Sequence, residues 1–460
     1  MINDEAKKEF SRITGPKFFS DRPEDLVLYA SDGTNTKGLK PGAVIRPGNV
    51  QEISDIIKTA RKYKIPVTVR GAGSGLTGGA LPVPGGLILV MTRLNRILIV
   101  DQANLTAVVE PGVVTADFQD RVSALGLFYP PDPASREFST LGGNAAENAG
   151  GTRAVKYGVT RDYILGLQAV LGTGEIVETG VITAKGVVGY DLTRLLVGSE
   201  GTLAVITRLN IRLVPLPEAK ETVIAYYDTL AAAGKTVAAL TAARIVPATI
   251  EFMDRASINC VEEYLHLGID PNIGALLLIE TDGPPRQALD EAEAVVRLCR
   301  ETGALAVRRA ETREEAETMW QARRALSPTL YRVAPGKMNE DVVVPRDKIP
   351  LMVERIEEIG RRLEVAIICF GHAGDGNIHV NVMYDPAVPG QPQKAEEAVK
   401  ELMSRCLELG GTISGEHGIG TTKRNLIQME LKPAVLDLMH RIKSAFDPDE
   451  IMNPGKMFPS

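Results

Sequence analysis

The chain is poor in histidine and cysteine and has a single tryptophan. Its 460 residues include five histidines and four cysteines. The cysteines, at 260, 299, 369 and 406, lie far apart and form no C-x-x-C pair. That excludes an iron–sulfur cluster or a thiolate zinc site, and it suggests the reduced thiols of a cytoplasmic protein. No run of about 18 apolar residues occurs, so no membrane-spanning helix is expected. The opening MINDEAKKEF lacks the apolar stretch of a signal peptide. Basic residues are not in excess: 52 Lys and Arg stand against 58 Asp and Glu, a net charge of −6. The footprint of a nucleic-acid binder is therefore missing. Internal repeats and low-complexity tracts are also absent. What remains is an ordinary globular composition, at a length that implies two or three domains.

Three of the five histidines fall in two short runs, GHAGDGNIHVN at 371–381 and GEHGIG at 415–420. Imidazole is the commonest metal ligand and the usual base near neutral pH. Asp375-Gly376 is a two-residue hairpin signal. Centred there, the turn pairs Gly374 with Asn377, Ala373 with Ile378 and His372 with His379. The two imidazoles are then expected as direct cross-strand neighbours on one face.

A β-α-β pattern begins at Ala43. Asn49 with Glu52 resembles a capping box, and Ile53, Ile56, Ile57, Ala60 and Lys64 follow helical spacing until Pro66. A strand at 67–69 leads into RGAGSGLTGGA (70–80). Gly73, Gly75 and Gly78 spell G-x-G-x-x-G, but the prolines and glycines of 79–86 forbid the helix that a Rossmann fingerprint requires. No G-K-[ST] follows, which excludes a P-loop. A glycine loop between strands remains, an anion nest with Arg70 at its entrance. Strands are expected at 86–91, 97–101, 106–112, 164–171, 175–178 and 203–213. A long irregular stretch at 129–160 reads as a functional loop. VPLP (214–217) marks a boundary, after which helices and strands alternate in the manner of an α+β domain with an antiparallel sheet.

RPGNVQEISDIIKTARKYKIPVTVRGAGSGLTGG, PPDPASREFSTLGGNAAENAGG and GSEGTLAVIT resemble the flavin domain of the PCMH/vanillyl-alcohol-oxidase superfamily. GHAGDGNIHVN, GEHGIG and NPGK resemble its FAD-linked oxidase C-terminal group, nearest the glycolate oxidase D-subunits and D-lactate dehydrogenases. The resemblance runs from about Leu39 to Lys456. It implies an α+β fold with a helical lead-in (1–38), a two-part PCMH-type FAD-binding domain (39–216), a substrate domain with an antiparallel sheet and metal-binding hairpin (217–410), and a segment returning to the flavin (411–460).

The resemblance also implies the sites. FAD would lie along Arg70, Gly71, Ala72, Gly73, Ser74, Gly75, Thr77, Gly78 and Gly79, and along Pro131, Asp132, Thr140, Gly142, Gly143, Asn144, Ala146, Asn148, Gly150, Gly151, Tyr157 and Gly158. Gly201, Val205 and Ile206 would meet the adenine end, and Asn453 and Lys456 would return to the flavin. Members that bond FAD covalently near the glycine loop carry histidine where this chain has Ser74, so non-covalent FAD is expected. His372, His379 and Glu416 would bind a divalent metal, zinc first, with manganese and iron as alternatives. His417 would be the base. Arg323, Ser327 and Lys337 would hold the substrate carboxylate, with Asn381 beside them.

The implied activity is oxidation of a D-2-hydroxy acid, D-lactate or glycolate, with hydride passing to flavin N5. Electrons would leave to an electron-transfer flavoprotein or an iron–sulfur subunit, in the cytoplasm or at the inner membrane through that partner. A homodimer is compatible with this scheme. D-2-hydroxyglutarate and D-malate are the alternative substrates. A non-redox flavin synthase and a non-catalytic FAD-binding subunit are the alternative classes.

Overall fold

Asn49 starts the first long helix as its spacing predicts. Its Oδ1 accepts the N–H of Glu52 at 2.9 Å, and Glu52 Oε2 accepts the N–H of Gly48 at 2.7 Å. The helix runs Val50–Lys62 and buries Ile53, Ile56, Ile57 and Ala60. It stops short of Lys64, which turns to φ +53°. This helix is the crossover that a parallel strand pair requires. A computed structural model describes residues 2–34 and 39–459. Residues 1 and 35–38 of the expected lead-in fall outside the described residues.

The chain forms two units. The first comprises Met1–Gly150, Val159–Leu216 and Glu416–Ser460, and the second comprises Gly151–Gly158 and Pro217–Gly415. In the first unit, β1 (Phe19–Ser20), β2 (Ala43–Ile45), β3 (Val67–Arg70) and β4 (Leu87–Val90) form a sheet in the order β1-β2-β4-β3. β2 and β3 both run parallel to β4, and β1 is antiparallel at the edge. Further along the chain come β5 (Ile97–Asp101), β6 (Thr106–Val109), β7 (Leu127–Phe128), β8 (Ile164–Leu171), β9 (Ile176–Gly180), β10 (Ala204–Arg212) and β11 (Val214–Pro215). Five of these make an antiparallel sheet in the order β5-β6-β10-β8-β9, and β7 pairs with β11. The C-terminal segment joins this unit through Asn453, whose N–H donates to the Val67 carbonyl at 2.8 Å.

The stretch 129–160 is not wholly irregular. A helix, Leu141–Glu147, forms inside it, capped by Thr140 Oγ1, which accepts from the Gly143 N–H. Three of its seven residues are glycine or asparagine, poor helix formers that hid it in the sequence. A single turn follows at Ala154–Tyr157.

The second unit is built on seven strands: β12 (Ala219–Tyr227), β13 (Thr249–Asp254), β14 (Ala275–Gly283), β15 (Ala306–Arg309), β16 (Gly336–Val343), β17 (Ala366–His372) and β18 (Asn377–Tyr384). They are antiparallel throughout, in the order β15-β12-β14-β13-β17-β18-β16. Period-two alternation puts Ile224, Met253, Leu276, Leu278, Ile368, Phe370 and Met383 on one face. These residues share a core with helices Arg255–Leu265 and Arg313–Thr329. The sequence reading passed over β12, β13, β15 and the helix Arg255–Leu265. β13 reads TIEFMD and is buried at all six positions, so it shows no alternation.

Asn49→Ala should lower the stability of the first unit by about 1 kcal/mol, as expected for a lost N-cap. A fall in the thermal midpoint without loss of secondary structure checks this.

Candidate active site

The histidine hairpin forms in a different register from the one its turn suggests. β17 ends at His372 and β18 starts at Asn377, so the loop has four residues, Ala373–Gly376. His372 pairs with Asn377 and Phe370 with His379. The reason lies in the loop. The Gly376 N–H donates to the His372 carbonyl at 3.1 Å, and Asp375 Oδ1 accepts the Asn377 N–H at 3.2 Å, an Asx turn rather than a two-residue turn. Gly376 sits at φ +94°, and a Cβ there would lie 2.0 Å from the Val344 carbonyl oxygen. The histidines still meet, as diagonal neighbours on one face. Their Nε2 atoms are 3.2 Å apart and their rings nearly perpendicular. Both side chains are buried.

β13 supplies a residue that the sequence reading missed. Glu251 pairs directly with His372 across β13 and β17 and is fully buried. Its Oε1 lies 2.5 Å from His372 Nδ1, and its Oε2 accepts from Arg323 Nε at 2.6 Å. Burial pushes this carboxyl up, but the charges of His372 and Arg323 more than offset that and hold it below the usual range. A carboxylate only accepts, so His372 Nδ1 carries a proton, and whenever the ring is neutral its Nε2 holds the lone pair. An acid amid buried apolar neighbours was the available signal, but it needed the strand to be recognised first.

Arg323 and Ser327 lie one helical turn apart on Arg313–Thr329. Lys337 Nζ donates to Ser327 Oγ at 3.2 Å, and burial lowers the pKa of this lysine. The Arg323 guanidinium also lies 4.7 Å from the Phe370 ring centre. Asn381 is buried on β18, and its Nδ2 donates to the Ile368 carbonyl. Arg324 is exposed and pairs with Glu317, and Trp320 packs on the core with its Nε1 on Glu280. The approach to GEHGIG is held by Asp341, the β16 partner of His379. Its Oδ2 accepts the Gly415 N–H at 2.8 Å, and a Cβ on Gly415 would fall 2.4 Å from Asn377 Nδ2. Glu416 is the next residue. The other two histidines have structural surroundings: His266 ends a helix in the left-handed conformation, and His440 stacks on Phe458.

In the first unit, residues 71–80 form an irregular loop with no helix, in keeping with the rejected Rossmann reading. Arg70 does not stand at its entrance. Its Nη1 donates to the Ser31 and Ala80 carbonyls, and a Cβ on Gly73 would strike its guanidinium, so the side chain braces the loop from beneath. Gly71 leaves no room for a Cβ beside Thr140 Oγ1, nor does Gly142 beside Pro111. Asn453 Nδ2 donates to the carbonyls of Gly79 and Glu200. Lys456 Nζ donates to those of Gly79 and Leu81. Glu200 accepts the N–H groups of Ile419 and Gly420, and Thr77 Oγ1 donates to the His417 carbonyl. A Cβ on Gly150 would fall 2.7 Å from Glu416 Oε2.

Two buried polar atoms beside the glycine loop, Asn453 Oδ1 and Glu147 Oε2, have no hydrogen-bond partner among the described residues. Glycines that exclude side chains, together with unsatisfied polar atoms, fit a ligand rich in donors and acceptors, as a flavin nucleotide is. The other expected contacts have the following surroundings. Val205 and Ile206 are core residues of β10 and can offer a ligand only backbone. Pro131 receives Gln119 through its carbonyl, Asn144 donates to Thr115, and Asn148 accepts from the Arg161 N–H. Gly151, Tyr157 and Gly158 belong to the second unit, where the Tyr157 hydroxyl donates to Asp282 Oδ2 at 2.7 Å.

The α+β fold of the chain has counterparts among solved structures. It resembles p-cresol methylhydroxylase with substrate bound, at a TM-score of 0.81 and 19% identity over 99% of this chain and 96% of that one. It also resembles an alkyldihydroxyacetonephosphate synthase at a TM-score of 0.79 and 19% identity, over 99% and 86% of the two chains. The family model for the FAD linked oxidases, C-terminal domain, matches residues 216–457, and that for the FAD binding domain matches 41–180. The glycolate oxidase subunit GlcD of Bacillus subtilis (strain 168) is 44% identical over all of this chain and 97% of its own length. GlcD of Escherichia coli (strain K12) is 35% identical over 95% and 87%, and a D-lactate dehydrogenase of Anaerostipes hadrus is 35% identical over 99% and 94%. The chain therefore belongs to the FAD-linked oxidases and is an FAD-dependent oxidoreductase.

Burial lowers Lys456 from 10.5 to about 7, against the opposing pull of Asp32, Glu147 and Glu200. The unfolded chain then binds more protons than the folded one between those values. Apoprotein stability should accordingly rise as pH climbs from about 7 toward 10.5. Lys456→Met should flatten that rise, which denaturant titration across the range checks.

Proposed function

We propose that the protein oxidises a small D-2-hydroxy acid, D-lactate or glycolate, to the 2-oxo acid. The observation that carries this reading is the buried imidazole pair, with His372 held by Glu251 through Nδ1 so that Nε2 faces the Nε2 of His379. Two imidazoles and a carboxylate from Glu416 are the donor set of a catalytic divalent site, with nitrogen favouring zinc over magnesium. Flavin supplies the hydride acceptor, and the cation supplies Lewis acidity toward the C2 hydroxyl. His417, next to a ligand but not one itself, takes the hydroxyl proton. Arg323, Ser327 and Lys337 hold the carboxylate and orient C2, with Asn381 beside the ligating histidine. The names of the relatives, a glycolate oxidase subunit and D-lactate dehydrogenases, support the substrate class.

The naming of two relatives as subunits, and four free cysteines that form no cluster, support a partner protein as electron acceptor. Among the described residues no helix is long and apolar enough to cross a membrane.

Anaerobic mixing with glycolate, D-lactate, D-malate and D-2-hydroxyglutarate should bleach the flavin fastest with one of the first two. If a zinc-replete, FAD-loaded sample is bleached by none of them, the reading is wrong. Stripping metal with a chelator should slow bleaching, and added zinc or manganese should restore it. His417→Ala should slow flavin reduction by about 100-fold or more while leaving FAD bound. An undiminished rate would remove His417 as the base.

A further inference from the structure

The Glu251 carboxylate has two oxygens and two partners. Oε1 takes the Nδ1 proton of His372, and Oε2 takes the Nε proton of Arg323. Both partners carry roles in the proposed reaction, and Glu251 itself has no exposure to solvent. The Arg323 guanidinium is fixed by this bond on one edge and by the Phe370 ring below it. Phe370 is in turn the register partner of His379, so the same row of the sheet carries the second imidazole. Among the described residues the Nη hydrogens of Arg323 make no hydrogen bond. They form the end-on edge that a carboxylate accepts in a bidentate pair.

We infer that Glu251 is a positioning residue that couples the metal-binding imidazole pair to the anion-binding arginine, so that the state of one sets the geometry of the other. The inference rests on the roles given above to His372 and Arg323. Its physical basis is that one rigid carboxylate plane serves both partners. Removing Arg323 leaves Oε2 buried without a donor, and the carboxylate must rotate or draw in water, which disturbs the bond to His372. Removing Glu251 frees the imidazole to take either tautomer and either ring orientation, and releases the guanidinium from its plane.

The test is a double-mutant cycle read as zinc affinity, measured on FAD-loaded, metal-free enzyme by competition with a chromophoric chelator. Glu251→Ala should weaken zinc about 10- to 100-fold. Glu251→Gln, which keeps the shape but can accept from only one partner at a time, should fall between Ala and the native protein. Arg323→Met, whose side chain lies outside the donor set, should weaken zinc about 3- to 10-fold in the native background and have no further effect with Glu251→Ala. At saturating zinc, Glu251→Gln should also raise KM for the acid more than it lowers kcat. An Arg323→Met protein with native zinc affinity overturns the coupling, as does a Glu251→Ala protein that folds and binds zinc natively. If Glu251→Ala does not fold, Arg323→Met and Glu251→Gln still decide the matter. A native enzyme that binds no zinc, manganese or iron would instead sink the metal reading itself, which is a different result.

Discussion

A carboxylate buried in the middle of a seven-stranded sheet is the constraint on which the second unit depends. Glu251 has no water to solvate it, so both oxygens must be engaged or the strand cannot stay where it is. Removing one partner of such a pair leaves an uncompensated buried charge, at a cost of about 3–5 kcal/mol. The sheet meets the demand from two directions: β17 brings His372 alongside in register, and the helix Arg313–Thr329 reaches down with Arg323. The requirement that makes Glu251 tolerable therefore also orients an imidazole and a guanidinium. A core this apolar has no packing reason to hold three ionisable groups on adjacent elements, and the proposed chemistry would supply one.

The first unit solves a different problem with glycine. Its loop at 71–79, the helix residue Gly142, and Gly150 and Gly418 approach other groups too closely for side chains. Arg70, Asn453 and Lys456 hold this backbone through carbonyls, so the loop is stiff although glycine alone would make it floppy. Glu200 does the same for the turn after His417 by accepting two successive N–H groups. Rigid backbone, excluded side chains and a few unsatisfied polar atoms are what a large, hydrogen-bonding cofactor needs.

Much of this was legible in the sequence because it rests on local chemistry. Asn49 and Glu52 announce a helix start, and the prolines after Gly79 rule out a Rossmann helix. The histidine runs are too improbable for a chain with five histidines to be incidental. What stayed hidden depends on pairing at a distance. The hairpin register turned on whether Asp375 folded into a two-residue turn or an Asx turn, and that was decided by the room Gly376 finds beside Val344. Arg70 was legible as a cation near the loop, yet its direction depends on the carbonyls of Ser31 and Ala80. Glu251 was invisible because β13 shows no alternation, and its partners lie 72 and 121 residues away. The resemblance to a known family implied ligands and a base, but it did not point to Glu251, which holds His372 and Arg323.

In the proposed reaction, flavin reduction requires the C2–H bond of the 2-hydroxy acid to break. The most direct test is anaerobic single-turnover flavin reduction with glycolate or D-lactate deuterated at C2. Bleaching should be slower by several-fold with deuterium and should slow again when the metal is removed. Bleaching at equal rates with both isotopologues and unaltered by metal removal would contradict it.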